Sequence, residues 1–415
     1  MELTTIVLAV AAVAGLYMAW NIGANDVANA MGTSVGSGAL TLRGAIIVAA
    51  IFEFGGAMLA GGTVTKTIRK GIVDLDALGG DPMVIAIGMT SCLIAAALWL
   101  NIATYFGWPV STTHSIVGAV VGFGLIAGGL NAVNWWMLTK IAASWVISPV
   151  LGGFFGYFGF VFIKDRILNV DRPLLALRGW GPIMVFPIFA ILALSVLFKG
   201  LKPLKLDLAL GPSLGIAVAV GLLASILSVP LLRRATRLAS EDKDEHTYRA
   251  ERVFLVLQVM TACFVAFAHG SNDVANAVGP MAAVFGATSG QLSAEVAVPH
   301  RILLIGSLGI VVGLATYGYK IMDTIGKKIT ELTPSRGFAA EFAAATTIVM
   351  ASKLGLPVST THTLVGAVIG VGFARGIGAI NTRVVSGIIA SWFITVPFTA
   401  LLAAGLFLIG RIWLP

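Results

Sequence analysis

Apolar runs of roughly twenty residues recur along the whole chain, separated by short stretches that hold most of the charge. The first run extends from about Leu3 to Gly38 and is interrupted by Asn21, Asn25, Asp26 and Asn29. It is too long and too polar in its middle for one plain helix, so the pattern predicts a broken helix. A second run, Ala45 to about Gly61, carries Glu53 inside it, and a basic stretch with Lys66, Arg69 and Lys70 follows. A third covers Met83 to Tyr105. Then comes G-W-P-V-S-T-T-H at residues 107–114, leading into a small-residue run that ends near Gly129. Trp135 to Ile163 is again long for one straight span and contains Pro149. Beyond Arg166, Arg172 and Arg178, two simple apolar spans occupy about 182–198 and 212–232, with Lys199, Lys202 and Lys205 between them.

The most polar stretch, about 232–252, is an exposed loop or surface helix and the natural boundary between halves. After it the pattern restarts. Val253 to Phe285 carries Asn272, Asp273 and Asn276 inside it, a span covers Ile302 to Tyr319, a basic loop holds Lys327 and Lys328, and an apolar run covers Phe338 to Leu354. G-L-P-V-S-T-T-H at 355–362 comes next, and a final run from Ile380 to Leu408 carries Pro397. The restart is a repeat: Asn25 aligns with Asn272, Pro109 with Pro357, and Ala143-Ser144-Trp145 with Ala390-Ser391-Trp392, all at nearly one offset. We expect repeat 1 at 1–163, linking segments at 164–249 and repeat 2 at 250–415. With five spans in each repeat and two between them, the chain predicts about twelve transmembrane segments. An odd number then precedes repeat 2, so the repeats are expected in inverted topology. Placing both termini outside puts Lys164, Arg166, Arg172, Arg178, Arg233, Arg234, Arg249, Arg252, Lys320, Lys327 and Lys328 in cytoplasmic loops. Fewer basic residues then lie outside, as the positive-inside rule requires.

Composition agrees. At 58% hydrophobic and 11% charged residues the chain is an all-α polytopic membrane protein, not a soluble domain. Its net charge of +8 belongs to orienting loops and does not suggest nucleic acid. Cys92 and Cys263 both lie in apolar runs and read as small core residues, not as a disulfide or thiolate site. No basic segment precedes the run at Leu3, which leads straight into the first polar motif and so reads as a span rather than a cleaved signal.

That motif occurs twice, as G-A-N-D-V-A-N-A at 23–30 and G-S-N-D-V-A-N-A at 270–277. A carboxylate inside an apolar run is costly without a partner. Asp26 and Asp273 are hard, charged oxygen ligands. Asn29 and Asn276 add amide oxygens, and Asp26 and Asn29 share a helical face. With backbone carbonyls freed at a helix break, the set suits a small hard cation. Asn25 and Asn272 offer amide donors toward an anion. A structural polar cluster is the plainer reading for one such aspartate, but two symmetric copies weigh against it.

P-V-S-T-T-H at 109–114 and 357–362 reads as a helix N-terminus, with Ser111 or Ser359 as cap. The first-turn N–H groups and the hydroxyls of Thr112, Thr113, Thr360 and Thr361 would face whatever precedes each helix, a geometry that binds anions. His114 and His362 read as buried, hydrogen-bonded histidines that orient the threonines. His269 has no repeat-mate, because Ile22 holds the equivalent place, and falls outside the expected core site. Glu53 and Glu341 are buried carboxylates equally suited to gating or coupling and to a structural pairing. Gly118/Gly122 and Gly366/Gly370 have the spacing of close helix contacts.

These four motifs resemble the PiT family of inorganic phosphate transporters, and T-I-R-K-G-I at 67–72 is similar to that family's N-terminal half. The resemblance covers both repeats. It implies twelve transmembrane segments, inverted repeats, and symport of phosphate with Na⁺ or, in other members, H⁺, with no cofactor. It places the transport site at Asp26, Asp273, Ser111, Thr112, Thr113, Ser359, Thr360 and Thr361, and matches the family's intramembrane glutamates to Glu53 and Glu341. The expected protein is a Na⁺-coupled phosphate importer of the plasma (inner) membrane. H⁺ coupling and a sulfate or metal-phosphate substrate are the near alternatives, and a homo-oligomer is compatible with the chain. An intramembrane aspartyl protease also uses two membrane aspartates, but gives no reason for symmetric asparagines or hydroxyl-capped helices. A passive channel would carry flux independent of any ion gradient.

Overall fold

The computed structural model describes residues 3–61, 72–73, 81–197, 208–236, 242–290, 298–353 and 358–412. Lys66, Arg69, Lys70, Lys199, Lys202, Lys205 and the segment Gly355-Leu356-Pro357 lie outside the described residues, as does nearly all of T-I-R-K-G-I. The first half comprises α1 (Leu3–Gly36), α2 (Leu42–Ala60), α3 (Pro82–Tyr105), α4 (Thr112–Gly128) and α5 (Trp135–Ile163). A π-helical turn, Lys164–Leu168, leads to a linking hairpin of α6 (Pro173–Ser195) and α7 (Leu210–Ala235). The second half comprises α8 (Lys243–Thr288), α9 (His300–Tyr317), the short α10 (Tyr319–Asp323), α11 (Pro334–Lys353), α12 (Thr360–Arg375) and α13 (Thr382–Arg411). Among the described residues the only β pairing is an isolated bridge between Val73 and Val133.

Nine of these helices are long and apolar enough to cross a membrane. The helices α4 and α12 are not among them. With 17 and 16 residues they extend only about 24–26 Å, less than the roughly 30 Å hydrocarbon thickness. Matching caps start them: Ser111 Oγ accepts from the His114 N–H at 3.2 Å, and Ser359 Oγ from the His362 N–H at 3.2 Å. The helices that follow are capped alike, by Asn134 for α5 and Asn381 for α13.

The expected break in the first run does not occur. The helix α1 is continuous for 34 residues through Asn25–Ala30, and α8 for 46 residues through Asn272–Ala277 and even Pro280. The physical reason is the side-chain set. Asn25, Asp26, Asn29 and Asn276 bond outward to other helices or to the segment before α4, and the helix continues through both octapeptides; Pro280, which lacks an N–H, leaves one carbonyl there, that of Asn276, without its i+4 donor. In the first octapeptide a cation is therefore held by side chains, while the second also has the Asn276 carbonyl to offer. Chain interruption falls instead at the P-V-S-T-T-H segments.

The halves interlock. Helix α1 packs against α9 of the other half, and α8 packs in the corresponding way against α2. Gly23 and Gly270 permit these crossings: a Cβ on Gly23 would lie 2.0 Å from the Ile310 carbonyl oxygen, and one on Gly270 would lie 2.1 Å from that of Glu53. The pair α4/α13 likewise mirrors α12/α5. A Cβ on Gly122 would sit 2.0 Å from the Ala400 oxygen, and one on Gly370 2.0 Å from the Gly153 oxygen. Such contacts let dispersion and backbone proximity act where lipid offers no hydrophobic drive. His114 and His362, repeat-mates, touch each other with ring centroids 4.9 Å apart, so they lie where the two halves' equivalent helix starts converge. The α7 surface, with Leu222, Leu223, Ile226 and Leu227 exposed, faces outward as a lipid-contacting wall.

Candidate functional site

Asp26 and Asn29 stand on successive turns of α1, beside the starts of α4 and α12. The Asp26 carboxylate is buried and accepts three hydrogen bonds. Thr112 Oγ1 donates to Oδ2 at 2.7 Å. Asn29 Nδ2 and Thr361 Oγ1 each donate to Oδ1 at 3.0 Å. Asn29 Nδ2 also reaches Thr361 Oγ1 at 2.8 Å. On α8 the mate of Asn29, Asn276, donates to Thr113 Oγ1 at 3.2 Å, to Thr112 Oγ1 at 3.2 Å and to Asp273 Oδ1 at 3.3 Å. The pairing is crossed. Asn29 of the first half bonds the hydroxyl of the second half's α12, and Asn276 of the second half bonds the hydroxyls of the first half's α4. Neither half contains a complete site.

Two features break this symmetry. Where Asp26 takes Thr112, Asp273 turns to His269, one helical turn earlier on α8. The His269 Nε2 lies 3.1 Å from Asp273 Oδ2 and 3.5 Å from Asp26 Oδ2, and its Nδ1 lies 3.3 Å from Glu53 Oε1. One ligand atom each from Asp26, His269 and Asp273 falls within 4.8 Å of the others, a grouping that can hold a cation. His269 is therefore part of the core, contrary to the expectation from the missing repeat-mate, and Glu53 joins through it. The i, i+4 spacing of His269 and Asp273 on one helix was the available signal. The equivalent crossing in the other half joins Ile22 and Ile310, both fully buried and apolar.

The second break is at Glu341 on α11. This buried carboxylate accepts from Thr33, from Ser34 at 2.8 Å, from Thr261 at 2.6 Å and from Gln258 at 3.4 Å. It ties α11 to α1 and α8. Its place in the repeat alignment is taken by Leu93 on α3, while Ala11 and Ala14 stand where Gln258 and Thr261 would be. One half thus holds a polar nest where the other is packed dry.

The remaining expected residues divide by role. Asn25 is turned away from the aspartates. Its Nδ2 donates to Thr104 Oγ1 at 2.9 Å and to the Trp108 carbonyl at 3.1 Å, while its Oδ1 accepts from the Val110 N–H at 3.1 Å. It holds the bend between α3 and α4. Asn272 donates to Asp273 Oδ1 at 3.4 Å, and with Asn29, His269 and Thr360 it lines a narrow cleft of about 20 Å³ walled by Phe264, Ile348 and Leu364. Such a space accommodates about one water. Ser111 and Ser359 cap their helices, leaving the first N–H groups of α4 and α12 without intrahelical acceptors. His362 stacks on Trp392 with centroids 3.8 Å apart, and Trp392 Nε1 donates to the Pro109 carbonyl at 2.9 Å. Neither ring nitrogen of His362 has a hydrogen-bond partner among the described residues. It acts by packing, not by the hydrogen bonding expected.

Buried carboxylates and amides from two interlocked halves, facing capped helix starts in a polytopic helical membrane protein, define an integral membrane transporter and not an enzyme. The profile of the phosphate transporter family matches residues 22–403, and the chain belongs to that family. The chloroplastic inorganic phosphate transporter 2-1 of Arabidopsis thaliana is 46% identical over 418 residues, covering 94% of this chain and 70% of that one. A Pyrococcus abyssi relative is 47% identical over 394 residues, 95% of each chain. Among solved structures, a sodium-dependent phosphate transporter superposes with a TM-score of 0.87 at 42% identity, covering 99% of this chain and 100% of that one.

Proposed function

We propose that the protein imports inorganic phosphate together with Na⁺. The observation that carries the reading is the crossed pairing of Asn29 with Thr361 and of Asn276 with Thr112 and Thr113, around Asp26 and Asp273. Cations seat at the carboxylates: Asp26 with Asn29 and Thr361, Asp273 with Asn276. Phosphate seats between the starts of α4 and α12, taking donors from the first-turn N–H groups and from the Thr112, Thr113, Thr360 and Thr361 hydroxyls. Neither motif contains a Lys or Arg, so the anion's charge is offset by the co-bound cations, which couples their binding. The side-chain amides and hydroxyls now bonded to one another exchange those bonds for bonds to phosphate and Na⁺. The two halves are inverted repeats that move against each other about this site, with both termini outside the plasma membrane. The solved relative, a sodium-dependent phosphate transporter, supports Na⁺ as the coupling ion.

Proton coupling has one observation in its favour, the His269 imidazole set among Asp26, Glu53 and Asp273. Phosphate uptake by Asp26→Asn and Asp273→Asn proteins in proteoliposomes tests the cation seats. The reading expects loss of Na⁺-driven uptake in both, and unchanged uptake in either would overturn that seat's assignment.

A further inference from the structure

The linking hairpin and the start of the second half enclose a groove that the transport site does not use. It has a volume of about 880 Å³ and runs between α7 and α8, with Val185 and Phe189 of α6 at its floor. Its two long walls are Ala224 to Ala235 on α7 and Glu245 to Met260 on α8. At 1.5 Å per residue the α7 wall is about 16 Å long, the depth of one leaflet of a core roughly 30 Å thick, and the α8 wall, at about 22 Å, continues past it at the charged end. The deep part is aliphatic, with Leu227, Val256 and Met260 at 58%, 56% and 38% exposure. The shallow end is basic and aromatic: Arg249, Arg252 and Tyr248 on α8 line it, and Arg233 and Arg234 sit in the last turn of α7 beside it.

The acidic residues nearby cancel this charge only in part. Glu251 is drawn off to α11, where it accepts from the Ser335 N–H at 2.8 Å, from Ser335 Oγ at 2.7 Å and from Thr333 Oγ1 at 3.0 Å. Glu245 lines the mouth and pairs with Arg249 at 2.9 Å, and Asp242 and Asp244 stand beside it at the start of α8, against Arg252, Arg233, Arg234 and Lys243. The groove therefore offers an apolar channel one acyl chain deep, ending in a cluster of arginines at the height of the headgroups.

We propose that this groove is a binding site for one anionic glycerophospholipid. Its phosphate lies against Arg249 and Arg252, with Tyr248 at the interface, and an acyl chain lies along Leu227, Val256 and Met260. The arginine planes suit bidentate phosphate contacts, and basic pockets between transmembrane helices select anionic headgroups. An occupant here bridges the linking hairpin to the long helix that carries His269 and Asp273.

The test uses the full-length protein in detergent with added phosphatidylglycerol or phosphatidylcholine, read by native mass spectrometry. One phosphatidylglycerol should be retained about tenfold more tightly than phosphatidylcholine. The double variant Arg249→Gln/Arg252→Gln should lose that preference, and Val256→Trp should weaken retention of both lipids. On unaltered protein, a phosphatidylglycerol with a photoreactive acyl chain should label α7 and α8 around Leu227 and Met260. Equal retention of both lipids by the unaltered protein, or labelling spread evenly over the lipid-facing helices, overturns the proposal. So does a groove variant that changes the oligomeric mass and leaves lipid retention intact, which would assign the groove to a second copy of the chain.

Discussion

Replacing Thr361 by valine isolates what one half contributes to the other half's carboxylate. The side chain keeps its shape and loses one hydroxyl. That hydroxyl accepts from Asn29 at 2.8 Å and donates to Asp26 at 3.0 Å, with the Val110 carbonyl at 3.3 Å as a weaker acceptor. A hydrogen bond to a charged group contributes about 1.5–3 kcal/mol and a neutral one about 0.5–1.5 kcal/mol. In the loaded seat the Thr361 oxygen turns from Asn29 and Asp26 to Na⁺, so its removal costs one contact to a charged group, about 2 kcal/mol, while Asp26 keeps Thr112 and Asn29. At 1.4 kcal/mol per decade this is roughly a thirtyfold rise in the Na⁺ concentration for half-maximal phosphate uptake. The assay is radiolabelled phosphate uptake into proteoliposomes over a range of external Na⁺. A shift of less than about threefold, in protein that is folded and monodisperse, would refute the reasoning, because Thr361 would then be a packing residue beside an independent seat.

Thr112→Val removes the other hydroxyl on Asp26, and combining it with Thr361→Val should depart from additivity by at least about 0.5 kcal/mol, since both donate to one carboxylate; strict additivity of the Na⁺ shifts would argue against a shared ligand. Glu341→Leu leaves Thr33, Ser34, Gln258 and Thr261 around an apolar side chain and should lower the thermal unfolding temperature, while Glu341→Gln, which keeps an acceptor, should lower it less. Equal effects in a melting assay would mean that the nest is not held by its acceptor. Gly370→Leu drives a side chain into the Gly153 carbonyl at the crossing of α5 and α12 and should abolish recovery of folded protein, measured by size-exclusion chromatography. Normal recovery would show that this crossing is loose.

The paired motifs made the membrane class and the two halves legible in the sequence, because a charge in an apolar run requires an explanation and a repeat of it at fixed spacing narrows the choices. The helix starts at Thr112 and Thr360 were equally legible, since Ser111 and Ser359 are caps whose chemistry is local. What the sequence could not show is the crossing. Whether Asn29 faces Thr113 or Thr361 depends on how α1 packs against α12, which no local pattern encodes. Repeat symmetry, the guide to most of the site, concealed His269, whose mate is Ile22, and gave no hint of the nest around Glu341, whose mates are alanine and leucine. The octapeptide misled in one respect. A polar run suggested a broken helix, but its side chains find partners on neighbouring helices, so the α1 backbone needs no interruption. Asn25 shows the reverse case: a residue inside the motif whose hydrogen bonds are all spent on shaping the bend at Trp108.

Phosphate uptake into proteoliposomes under an imposed inward Na⁺ gradient, compared with an imposed pH gradient in the absence of Na⁺, tests the central claim most directly. Phosphate accumulation should follow the Na⁺ gradient, collapse when that gradient is dissipated, and fail under the pH gradient alone. Accumulation driven by the pH gradient and indifferent to Na⁺ would contradict it, and would make His269 and its three carboxylates the coupling centre instead.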